Sequence, residues 1–136
     1  MSKIKEAAER HERGYNCAQA VACSFCQEFG IDENEMFRIA EGFGLGMGVM
    51  EMCGALSGMA MIIGLSNSRG NTEEGSGSKG DTYKKLRTYI QKFKEKNGSC
   101  ICRELKGVET GKVLCSCPQC ITDAVALTEE YLAENR

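Results

Sequence analysis

The chain has 136 residues, 42% of them hydrophobic and none of them tryptophan, with a formal net charge of -2. That length suits a single domain that buries roughly two-thirds of its unfolded surface without disulfide staples, and the near-neutral charge excludes a general nucleic-acid binder. The most apolar run, Met47 to Leu65, is broken by Gly48, Glu51, Gly54, Ser57, Gly58 and Gly64. It reads as a buried helix and falls short of the ~20 apolar residues that membrane insertion needs.

The opening MSKIKEAAERHERG is charged throughout and carries no signal-like apolar stretch, which predicts a cytoplasmic protein. A short helix is expected from Lys3 to Glu12. Gly14 breaks it and Asn16 caps the next, where Ala18, Val21, Ala22, Phe25 and Phe29 form an apolar stripe of helical period that Gly30 ends. Asp32 caps a third helix, with Glu35 placed to complete a capping box and Phe37 and Ile39 beyond it. The stretch from Gly42 to Gly48 alternates glycine with apolar residues and predicts a close-packed loop leading into a helix from about Glu51 to Ser66. In that helix Gly54 and Gly58 lie one turn apart, with Ala55 and Ala60 nearby, so a second backbone can approach closely.

Residues Arg69 to Gly80 are polar and rich in glycine and serine, which predicts a mobile surface loop. Asp81 is expected to cap a helix to about Lys96, with a core stripe of Tyr83, Leu86, Ile90 and Phe93 and an opposite face of Lys84, Lys85, Arg87, Lys92 and Lys94. That basic face reads as solvated charge, or more sharply as a dock for an acidic redox partner. A short helical turn follows Ser99. The last helix starts near Pro118 and buries Ile121, Ala124, Val125, Thr128 and Leu132. No strand signal stands out. The expectation is an all-α fold, one compact bundle of five to six helices over residues 1–136.

Nine cysteines are spread over this scaffold. An odd number without an export signal points away from a disulfide framework and toward metal binding or redox chemistry in a reducing compartment. About half of them are expected to be small buried hydrophobes. Cys17, Cys53, Cys102 and Cys117 each fall at or near a predicted helix start, where free N–H groups and the helix dipole favour the thiolate, so a lowered pKa is expected of all four. Cys115, Cys117 and Cys120 form C-S-C-P-Q-C, and Cys100 and Cys102 form C-I-C, clusters suited to zinc or iron–sulfur ligation. Cys117-Pro-Gln-Cys120 also has dithiol spacing, but the βαβ setting of a thioredoxin is missing. Cys23 and Cys26 sit inside a helix and read as core filler. His11, the single histidine, reads as a solvated surface residue, and Met47, Met50, Met52, Met59 and Met61 as flexible core packing with copper affinity the sharper alternative.

The segments Asn16-Cys17-Ala18-Gln19-Ala20-Val21, Cys53-Gly54-Ala55-Leu56-Ser57-Gly58, Cys102-Arg103-Glu104-Leu105, and Cys117 ahead of Ile121-Thr122-Asp123-Ala124 together resemble the C_GCAxxG_C_C family, described as redox-active. The resemblance covers nearly the whole chain, and the C-G-A-x-x-G element is its most specific part. It implies that four cysteines belong together, falling on Cys17, Cys53, Cys102 and Cys117, with Cys120 a rival for the fourth place. It implies a redox role and names no catalytic residue.

Three functions compete. The leading one is a thiolate site for an iron–sulfur cluster or other thiophilic metal, used in electron transfer or sensing. A thiol–disulfide oxidoreductase and a structural zinc module are the alternatives. The partners expected are a redox protein and a second copy of the chain, with neither nucleic acid nor membrane insertion.

Overall fold

The computed structural model describes residues 2–73, 75 and 77–135. Seven α-helices are described: α1 (Ile4–Glu12), α2 (Cys17–Phe25), α3 (Glu33–Ala40), α4 (Gly54–Asn67), α5 (Lys79–Asn97), α6 (Cys102–Lys106) and α7 (Cys117–Glu134). Among the described residues the single β-type pairing is an isolated antiparallel bridge between Met52 and Ile101. The all-α expectation holds, and the count of five to six is corrected to seven. The difference is α6, expected as a mere turn. It closes a helical hydrogen bond from Leu105 N to Ile101 O at 2.9 Å and ends at Gly107, whose φ of 69° suits a left-handed cap.

The helix starts follow from local side-chain chemistry. Asn16 accepts from Gln19 N at 2.9 Å while Gln19 Oε1 accepts from Asn16 N at 2.8 Å, a reciprocal box that opens α2. Asp32 caps α3 through Glu35 N at 3.1 Å. No reciprocal half forms there, because the Glu35 carboxylate pairs with Arg38 at 3.3 Å. Asp81 does not cap α5, which begins two residues earlier; it lies in the first turn and pairs with Lys85 at 3.5 Å.

α2 is the hub, buried at every residue from Ala18 to Phe25, with α1, α3, α4 and α7 against it. The α2–α4 contact is close because α4 presents glycine there. A Cβ on Gly58 would stand 2.8 Å from Ala18 O and 2.9 Å from Val21 Cβ, and one on Gly54 2.9 Å from Phe43 O. On α5 the buried aromatics are Tyr89 and Phe93, and Tyr83 is exposed, contrary to the expected stripe. Tyr89 meets the Tyr131 ring edge-on at 5.6 Å, whereas Tyr83 faces the polar segment that precedes α5.

The glycine-rich stretch is packed in part only. Gly44 and Gly46 abut the Asn16 side chain and Glu51 N respectively, leaving no room for a Cβ. Leu45, Met47 and Met50 adopt positive φ of 52°, 60° and 60°, and Leu45, Met47 and Val49 are exposed, so Met47 is not core packing. α4 starts at Gly54, later than expected, because Met52 is held in the bridge to Ile101. Of the expected loop from Arg69 to Gly80, Lys79 and Gly80 belong to α5, and Glu74 and Ser76 lie outside the described residues. No described helix is long and apolar enough to cross a membrane.

Candidate functional site

Cys17, Cys102 and Cys117 are the first residues of α2, α6 and α7, and Cys53 is the residue that caps α4. Different contacts bring these helix starts together. Cys53 N donates to Cys100 O at 2.9 Å and Cys102 N to Glu51 O at 2.5 Å, which sets the Cys53 and Cys102 segments side by side. The close approach of Gly54 to Ala18 N brings the start of α4 to the start of α2. Leu105 O accepts from Leu114 N at 2.9 Å and from Cys115 N at 3.2 Å, tying α6 to the link that leads into α7. There Ser116 caps the helix through Gln119 N at 3.3 Å, with Pro118 in the first turn.

The result is one cavity of about 150 Å³ lined by Cys17, Cys53, Cys102, Cys115, Cys117 and Cys120. All five cysteines singled out from the sequence stand on it, and Cys115 joins them. His11, expected to be solvated, lines it too, with Asn16 and Lys106, because the turn at Gly14 folds the end of α1 back on the start of α2. Nothing in the period or spacing of the chain signals His11 or Lys106. Cys115 is visible in the sequence as part of the C-S-C-P-Q-C cluster. Cys23 and Cys26 are buried in a separate apolar cluster with Ala22 and Met36. Cys100 is half-buried and contributes its carbonyl.

The expectation that the four helix-start thiols share a lowered pKa is corrected. Cys53 is lowered to about 7, chiefly because the Cys120 thiol donates to it, with the Leu56 and Ala55 N–H groups helping against burial. Cys17 is pushed up to about 12, first by burial and then by the neighbouring Cys117 and Cys53 sulfurs. Burial also raises Cys102 and Cys115, with Cys53 adding to the first effect and Lys106 opposing it. Cys120 is raised because its proton is engaged by Cys53. A helix start contributes under about 1 kcal/mol at most sites, and withdrawing several like charges from water outweighs it.

The lining suits a thiophilic group by its donor chemistry: six sulfurs, one imidazole and no carboxylate. Among the described residues no three His, Cys, Asp or Glu side chains stand at metal-holding spacing. No curated protein and no solved structure matches the chain. Residues 15–131 match the C_GCAxxG_C_C family, whose description is "Putative redox-active protein". That match takes in every one of the nine cysteines and most of the helical scaffold that gathers six of them, and the chain belongs to the C_GCAxxG_C_C family.

Proposed function

We propose that the cavity is a redox centre in which Cys17, Cys53, Cys102 and Cys117 hold an iron–sulfur cluster or another thiophilic metal, for electron transfer or sensing. The observation that supports this reading is the convergence of four sequence-distant thiols, each at a helix start, on one small cavity. Cys117 is preferred to Cys120 for the fourth place because its thiol meets that of Cys17, whereas Cys120 faces Cys53 and Cys115. A bound cluster of this kind supplies one-electron chemistry at a potential set by its surroundings. The chain's own part is to bring the sulfurs together, to donate backbone N–H groups at Cys53, and to line the cavity with the apolar side chains of Leu45 and Leu105. A redox protein as electron partner and a reducing, cytoplasmic setting belong to the same reading.

A second reading, dithiol–disulfide exchange, is favoured by one specific feature: the thiols are already neighbours in pairs, Cys17 with Cys117 and Cys53 with Cys120. Anaerobic purification with elemental analysis separates the two. The first reading expects brown protein with iron and sulfide in stoichiometric amounts, or a bound thiophilic metal other than zinc. Colourless, metal-free protein that forms a Cys17–Cys117 or Cys53–Cys120 disulfide on mild oxidation would replace it with the second. Zinc alone would leave a structural module.

A further inference from the structure

We infer that Lys106 is a positioning residue of the thiol centre, whose ammonium group draws the Cys117 sulfur into the shared site and offsets the negative charge gathered there. This rests on the cavity being a redox centre. Among the described residues that line it, Lys106 is the single lysine or arginine, and no carboxylate competes for it at the lining. It lies four residues after Cys102 on α6, and side chains at that spacing share a helix face. Cys102, Leu105 and Lys106 accordingly all line the cavity.

The backbone beneath Lys106 is held firmly. Gly107 takes a φ of 69°, a Cβ there would collide with Lys112 O, and Val108 N donates to Arg103 O at 3.1 Å. Leu105 O accepts both Leu114 N and Cys115 N, so α6 is tied to the approach to α7. The outcome is a Lys106 Nζ to Cys117 Sγ distance of 3.8 Å. The Cys120 sulfur is placed differently. It reaches back to Cys115 O at 3.7 Å and is engaged by Cys53. A fixed positive charge attracts the negative charge gathered on neighbouring cluster sulfurs and favours the reduced state of a cluster.

The test uses the anaerobically purified full chain as wild type, Lys106→Gln and Lys106→Arg. Reduction potential is read by titration, and iodoacetamide rates at Cys117 and Cys120 are read by peptide mass on the metal-free chain. Lys106→Gln should lower the potential and slow Cys117 alkylation roughly two- to fivefold, as expected for a partly exposed charge pair. Cys120 should be unaffected, and Lys106→Arg should restore both readings. In wild type, added salt should slow Cys117 alkylation by screening the same pair, a reading that needs no variant to fold. Wild-type values in Lys106→Gln, a change at Cys120 in place of Cys117, or salt-independent kinetics would overturn the inference. A wild-type protein without metal would sink the metal reading alone, since the alkylation arm still decides the role of Lys106.

Discussion

The chain carries two sets of thiols, and they are built differently. Cys23 and Cys26 are close in sequence, lie in and just after α2, and are sealed in an apolar cluster with Met36. The cavity thiols come from the starts of α2, α4, α6 and α7 and share a cavity with a lysine and a histidine. Burial pushes Cys23 up to about 12, whereas Cys53, also buried, is lowered to about 7 by the Cys120 thiol and two backbone N–H groups. A C-x-x-C spacing therefore says less about chemistry than the donors a sulfur meets. A thiol becomes reactive where the fold aims donors at it, and inert where it is only packed.

The sharpest way to break this comparison is to exchange serine for one thiol of each set. Cys53→Ser should abolish metal uptake and redox response. Cys23→Ser should keep both and cost about 1 kcal/mol of stability, since the hydrogen bond its thiol donates to Glu33 O is long, at 3.8 Å. Equal losses in metal content from the two variants would show that the grouping is wrong.

A second contrast lies along α4. Alanine at Gly58 would press on the Ala18 carbonyl, next to Cys17, and should cost about 1–3 kcal/mol. Alanine at Gly64, where a Cβ meets nothing within 4 Å, should be neutral or stabilise by about 0.5–1 kcal/mol. Thermal melts of the two variants moving in the same direction would contradict the close α2–α4 packing that carries Cys17 to Cys53.

The smallest expected effect is in pH dependence of the metal-free chain. The lowered value at Cys53 contributes stability that is complete above the ordinary thiol value of 9.0 and is lost as pH falls through about 7. At Cys23 the sign reverses: its contribution is complete below 9.0 and is lost as pH rises toward 12. Melting temperature followed from pH 9 upward should fall less steeply in Cys23→Ala than in wild type.

Much of this organisation is legible in the amino-acid sequence. Helical period places most of the helices, Asn16 and Asp32 mark two starts, and Cys17 at the first of them can be named because capping is a local property. What is not legible is tertiary. The Met52–Ile101 bridge is a single residue pair with no period, yet it delays α4 and sets Cys53 beside Cys102. Tyr89 displaces Tyr83 from the core because Tyr131 of α7 waits for it, a partner 42 positions away in the chain. His11 and Lys106 reach the cavity through the turn at Gly14 and the tie of α6 to the segment before α7, neither of which leaves a mark on hydrophobic pattern. The shared pKa expectation fails for the same reason, because a helix start is local and desolvation is set by everything around it.

The convergence itself is tested most directly by an alkylation footprint of the anaerobically purified protein, read cysteine by cysteine by mass spectrometry before and after metal removal. The expected result is that Cys17, Cys53, Cys102 and Cys117 are protected together and released together when metal is stripped, with Cys100 reacting at the same rate in both states. Four independent rates, or protection of Cys120 with Cys117 left open, would contradict a centre held by these four helix starts.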